Sequence, residues 1–128
     1  MYDAIVVGAR CAGASTAMLL GRLGHKVLLV DKTAVATDIP NGHFVHRLAP
    51  QRLDRWGVWD QIVASGSPPI RDVTMSLGGI AMGGKNLVVD GIPFAIAPRR
   101  TALDKILVDE AVAAGVELRD RFVVEGFL

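Results

Sequence analysis

A chain of 128 residues holds one ordinary domain, with a core but little room for both a dinucleotide site and a separate substrate domain. Hydrophobic residues make up 51% and the mean hydropathy is +0.38, so a chain this short exposes much apolar surface if it stands alone. The formal net charge of +1 gives no electrostatic footprint for nucleic acid or an anionic membrane, and the single cysteine excludes an intrachain disulfide and a cysteine zinc cage.

No basic and apolar leader precedes the first predicted strand. The longest uncharged stretches, such as 73–84, fall short of the roughly 18 apolar residues that a membrane span needs. A cytoplasmic protein without an integral membrane segment is the expectation.

Residues 3–7 read as a short buried strand that ends at Gly8. Residues 12–23 repeat small and apolar side chains at helical spacing, with Ala12, Gly13, Ala14 and Ala17 as a thin face able to lie against a sheet. Gly21 and Gly24 are read as marks of the helix end, with Arg22, His25 and Lys26 near its negative pole. Residues 27–30 form a second buried strand, and a unit this short predicts a right-handed parallel crossover. Residues 33–49 are irregular around Pro40, Asn41 and Gly42. One or two short helices follow over 50–64, interrupted near Gly57, and 65–69 is a loop. Strands over 70–77 and 86–96, separated by Gly78-Gly79 and Gly83-Gly84, form an antiparallel layer. Residues 101–114 make a clear helix with Thr101 as N-cap and Asp104 after it, ended by Gly115. Residues 116–118 are the third parallel strand, and 122–128 begin another. The expected fold is α/β and Rossmann-like: a three-stranded parallel βαβ core, incomplete, with an antiparallel β insertion.

The chemistry sits in the first unit. In a dinucleotide turn the first glycine makes the turn, the second lets backbone approach the pyrophosphate and the third lets helix and strand pack closely. Gly8 and Gly13 fill the first and third roles, while Arg10 stands at the second. Asp31, eighteen residues after Gly13 at the end of the second strand, can accept hydrogen bonds from an adenosine ribose and would repel a 2′-phosphate, which disfavours NADP. Arg10 either places its guanidinium near a diphosphate or is a solvated turn residue. Cys11 opens the helix, where the dipole would lower its thiol pKa, or it fills a tight turn as a small residue. His43 and His46 are three apart without an evident third metal ligand, so no metal is expected. Trp56 and Trp59 read as core packing.

Gly8-Ala-Arg-Cys-Ala-Gly13, Asp31, and the run from Arg99-Arg100 through Leu103 to Leu107 resemble FAD-dependent oxidoreductases of the p-hydroxybenzoate hydroxylase type. That group includes flavoprotein aromatic monooxygenases and geranylgeranyl reductases, and the Arg-Cys turn recurs within it. The resemblance covers the whole chain and is most specific over 2–32. It implies FAD held by the turn residues Gly8, Ala9, Arg10, Cys11, Ala12 and Gly13, by Asp31 at the ribose and by Lys32 near the adenine end. Arg100 would approach the ribityl-diphosphate portion, with Arg99 as the fallback, and Val123 or Val124 would offer backbone to adenine. Many monooxygenases of the group carry a flavin-contacting arginine near Asn41, where this chain departs.

On this resemblance the chain is the N-terminal part of an FAD-binding domain in a protein of roughly 400 residues. Residues 1–32 are the dinucleotide unit and 33–69 a loop with short helices. Residues 70–98 are antiparallel strands that start a substrate domain, and 99–128 return to the FAD domain. The activity implied is an NAD(P)H-dependent monooxygenase acting on a small organic substrate, with catalytic residues unassigned and the 128 residues alone inactive. A geranylgeranyl reductase-like enzyme and a non-catalytic NAD- or ADP-binding module are the alternatives. An unpaired edge at the first strand would be open to self-association.

Overall fold

The computed structural model describes residues 1–38, 44–85, 88 and 90–126, and divides into two compact units. Of the residues singled out above, Pro40, Asn41, Gly42, His43, Phe127 and Leu128 lie outside the described residues.

The first unit comprises residues 1–40 and 100–128. Its strands are β1 (Ala4–Val7), β2 (Val27–Val30) and β5 (Glu117–Arg119), all parallel in the order β1-β2-β5. Its helices are α1 (Cys11–Arg22) and α4 (Arg100–Ala113). The four apolar residues of β2 are all buried, as a strand flanked on both sides requires. Ala14, Ala17 and Met18 of α1 and Leu103, Leu107, Val108 and Ala111 of α4 complete this core. On the sheet's other face Ile5 and Val7 remain exposed and border, with Leu28, Val30 and residues 122–126, an open groove of about 700 Å³. Among the described residues β1 has only β2 as a strand partner, so its outer edge is unpaired.

The second unit, 41–99, holds α2 (Leu48–Arg55), α3 (Trp59–Ala64), β3 (Asp72–Leu77) and β4 (Ile80–Lys85). Leu53, Val58, Trp59 and Ile62 are buried, and Trp59 lies against Phe94 with ring centroids 5.8 Å apart, so Trp59 is a packing residue. β3 and β4 form an antiparallel hairpin closed by Gly78-Gly79, both at positive φ, the geometry of a two-residue hairpin turn. Its pairing places Val73, Met75, Leu77, Ile80 and Met82 on one face, all exposed.

Five expectations are corrected. The partner of β3 is 80–85 and not 86–96. Gly83 and Gly84, read as breakers, are paired strand residues opposite Thr74 and Val73, and among the described residues the later segment supplies isolated bridges at Ala95 and Ile96. Thr101 is not an N-cap, because α4 already begins at Arg100. The third parallel strand is displaced by one residue, to 117–119. Residues 122–126 are not a strand; the Phe122 N–H donates to the Asp31 carbonyl at 2.8 Å and the segment crosses the carboxyl ends of β1 and β2. Gly21 does not end α1 but lies inside it, where the carbonyl and Cβ of Ala114 and the Val116 side chain leave no space for a larger residue.

Gly13 is the tightest constraint. A Cβ there would lie 1.7 Å from the Gly8 carbonyl oxygen and 3.3 Å from Val6 Cγ1. Gly8 itself sits at φ +104°, a conformation open to glycine. Gly13→Ala should therefore destabilise the chain by about 3 kcal/mol or more, the cost of forcing backbone apart. Urea unfolding checks this, and a change below about 1 kcal/mol would contradict the close packing.

Candidate functional site

The site lies at the carboxyl ends of β1 and β2, where ligands of parallel α/β sheets bind. The Gly8 N–H donates to the Val30 carbonyl at 2.7 Å, which turns the chain out of β1 beside the end of β2. The Ala9 N–H then donates to Asp31 Oδ2 at 2.8 Å. Asp31 Oδ1 accepts from the Thr33 N–H and the Thr33 hydroxyl, each at 2.8 Å. The Asp31 side chain is thus a strut between the glycine turn and the chain leaving β2. Its main chain joins the third strand as well, with the Asp31 N–H donating to the Arg119 carbonyl at 3.1 Å.

Asp31 is only 8% exposed. Burial pushes its pKa up, but the N–H groups of Thr33 and Ala9, the Thr33 hydroxyl and the charge of Arg10 outweigh burial and hold it below the usual carboxylate range. The carboxylate is ionised near neutrality. It spends three of roughly four lone-pair sites inside the protein, leaving one on Oδ2.

A cavity of about 240 Å³ opens beside it, lined by Val7, Gly8, Asp31, Lys32, Phe122, Val123 and Val124. That is smaller than the roughly 300–1,000 Å³ of sites enclosing a whole ligand, and it suits one end of a long one. Gly8, Asp31, Lys32, Val123 and Val124, chosen from sequence, therefore meet at one place.

Arg10, Cys11 and Arg100 meet at a second place, around Asp104. This carboxylate is fully buried. Its Oδ1 accepts from Arg100 Nη2 at 2.9 Å, Arg100 Nε at 3.3 Å and Cys11 Sγ at 3.1 Å. Its Oδ2 accepts from Arg10 Nη1 at 3.0 Å and Arg100 Nη2 at 3.1 Å. Arg10 also donates to the carbonyl and hydroxyl of Thr37 at 2.8 and 2.7 Å, so it is a braced side chain and not a solvated one. Burial opposes the charge of Arg100, but the Asp104 hydrogen bonds hold its pKa above the ordinary value. Of the two readings of Cys11, the lowered thiol pKa is overturned: burial first, then the hydrogen bond and charge of Asp104, push its thiol up to about 11, overriding the helix dipole. It is a protonated thiol donor at neutral pH.

Ala12 is exposed on the first turn of α1. Arg99 is exposed and belongs to the second unit. His46 is exposed and stacks on Phe44 at 4.5 Å. Sequence reading passed over Asp104 as a hub, as well as Thr33 and Thr37. The i,i+4 spacing of Arg100 and Asp104 was a signal for the first and the i,i+2 spacing of Asp31 and Thr33 for the second; Thr37 is joined to the site only by tertiary placement.

A parallel strand–turn–helix–strand with a close-packed third glycine, a carboxylate strut and a cavity at the strand ends defines a nucleotide-binding α/β unit of the doubly wound class. The chain belongs to the FAD binding domain family, whose sequence profile matches residues 1–128. No curated protein matches it. Among solved structures, p-nitrophenol 4-monooxygenase PnpA from Pseudomonas putida aligns over 94% of this chain and 32% of its own, at 20% identity and TM-score 0.80. PqsL from P. aeruginosa, solved with 2-aminobenzoylacetate, aligns over 94% and 33%, at 19% identity and TM-score 0.82. A flavoprotein/dehydrogenase from Cytophaga hutchinsonii aligns over 94% and 30%, at 25% identity and TM-score 0.81. The chain thus spans about a third of the length of each. The Rossmann-like fold and the likeness to the p-hydroxybenzoate hydroxylase type are both borne out.

The depressed pKa of Asp31 makes a pH prediction. A carboxylate more acidic in the folded state adds stability that is complete above its unfolded value of about 4 and is lost as pH falls through the folded value. Asp31→Asn should cost about 1–3 kcal/mol at pH 7. The difference between the two proteins should shrink below about pH 4. Denaturant melts across pH test this, and a constant difference down to pH 2 would contradict it.

Proposed function

We propose that the chain holds the adenosine-diphosphate end of FAD in a flavin-dependent oxidoreductase that acts on small organic molecules. The observation that carries the reading is Asp31: a buried, ionised carboxylate with one acceptor site left, at the wall of a cavity sized for one end of a dinucleotide. The donor set suits that group. The α1 N-terminus has no acidic residue in its first turn and no side-chain cap, so its N–H groups and positive pole stay available to a phosphate.

In this reading the ribose binds Asp31 Oδ2. A second ribose hydroxyl would replace the Thr33 hydroxyl on Oδ1, since that contact turns about one side-chain bond. Lys32 and the backbone of Val123 and Val124 flank the adenine, and Gly8 through Gly13 face the diphosphate. Bound flavin would supply the redox chemistry, with the protein contributing binding and orientation. No residue of this chain is assigned a catalytic role. The likeness to the p-nitrophenol 4-monooxygenase PnpA favours a monooxygenase over a geranylgeranyl reductase-like enzyme, and NAD(P)H is the reductant we propose for it. A cytoplasmic location fits the absence, among the described residues, of any helix long and apolar enough to cross a membrane. The unpaired edge of β1 favours self-association of the chain at high concentration, and because the chain spans only about a third of the aligned flavoenzymes we propose that the 128 residues alone are inactive.

Fluorescence titration of the purified chain tests the reading. FAD and ADP should bind with similar affinity, because the chain grips the end they share, and Asp31→Ala should weaken both by about tenfold or more, the loss of one hydrogen bond to a charged group. A chain that binds neither FAD nor ADP would remove the nucleotide reading. No effect of Asp31→Ala would remove the ribose assignment.

A further inference from the structure

Two arginines stand where the N-termini of α1 and α4 meet, and they share one fully buried carboxylate. Arg10 is the residue before α1, Cys11 its first residue and Arg100 the first residue of α4, and all three bond to Asp104. A carboxylate whose only task was to neutralise a buried arginine would need one partner. Here two guanidiniums share it, so the cluster keeps one positive charge in excess, added to the positive poles of two helices.

The guanidiniums also keep donors in hand. Arg100 spends Nε and Nη2 on Asp104 and has the Cys11 thiol beside it, while its Nη1 meets no carboxylate among the described residues, although the side chain is only 10% exposed. Arg10 spends Nη1 on Asp104 and Thr37 and one Nη2 hydrogen on Thr37, which leaves Nε and the second Nη2 hydrogen. A nearly buried guanidinium with an unspent donor is poised for an anion.

We propose that Asp104 is a positioning residue for the diphosphate: it fixes the Arg10 and Arg100 forks side by side, so that their remaining donors converge beside the first turn of α1. This rests on the nucleotide reading above. It also reverses a simple electrostatic expectation. Asp104 is negative, and on charge alone its removal should strengthen the binding of any phosphate nearby. A positioning role predicts the opposite sign, because two long side chains released from a shared anchor must be ordered again by the ligand.

The test compares adenosine with ADP, which differ by the diphosphate and share the Asp31 subsite. Calorimetric titration of the wild-type chain should show ADP binding at least about tenfold tighter than adenosine. In Asp104→Asn the affinity for adenosine should stay within about twofold, while the ADP advantage falls by about tenfold or more. An unchanged or enlarged ADP advantage would overturn the proposal and leave Asp104 as a structural counter-charge. Since Asp104→Asn disturbs a buried cluster, Arg10→Lys provides a second arm. It keeps the charge at a partly exposed site but loses the fork that spans Asp104 and Thr37. It too should lose the ADP advantage with adenosine unaffected, and full retention overturns the proposal. Wild-type protein that binds adenosine but gains nothing from the diphosphate also refutes the role of Asp104 while sparing the Asp31 subsite. Wild-type protein that binds neither ligand removes the nucleotide reading and this proposal together.

Discussion

The hydrogen bond from the Ala9 N–H to Asp31 Oδ2 is the constraint on which the first unit is organised. It joins the turn after β1 to the end of β2, so the two strand ends cannot splay and the cavity between them keeps its shape. The same carboxylate orders Thr33 through two further bonds, and its main chain ties in Arg119 and Phe122. A buried charge is costly unless hydrogen-bonded, and these donors are what make it tolerable. The remaining acceptor site is then presented by a rigid wall, which lowers the ordering cost when a ligand arrives.

The glycine turn is the complement of that strut. With Gly8 in the left-handed region and Gly13 pressed against the Gly8 carbonyl, α1 starts as close to β1 as backbone allows. A thin α1 also lets α4 pack alongside it, which brings Arg100 and Asp104 to Arg10 and Cys11. The cluster around Asp104 is therefore a consequence of the same small residues that form the turn.

The parallel core was legible in sequence because its signals are local and strong. β-branched runs end at Gly8 and Asp31, and the 27–30 strand appears with its expected bounds. Asp31, Lys32 and Val124 were nameable because they occupy strand ends or the segment crossing them. The misreadings arise where one residue type serves two purposes. Gly83 and Gly84 resemble breakers, yet an exposed hairpin tolerates them in its ladder. Gly21 resembles a helix terminator, but its lack of a side chain admits Ala114. Cys11 illustrates a local rule overruled at long range: a helix N-terminus favours the thiolate, but burial and then a hydrogen bond donated to an aspartate 93 residues away raise its pKa. The i,i+4 spacing to Arg100 hinted at Asp104, but no sequence period announces that Arg10, 94 residues away, converges on it as well.

The central claim is that a nucleotide's adenosine end enters at Asp31 and its diphosphate runs along Gly8–Gly13. Amide chemical-shift mapping of the 128-residue chain on addition of FAD tests this residue by residue. The account predicts shifts at Gly8, Ala9, Gly13, Asp31, Thr33 and Val124, with the β3–β4 hairpin unmoved. Saturable shifts confined to the hairpin or to the open sheet face around Ile5, with Ala9 and Asp31 unchanged, would contradict it.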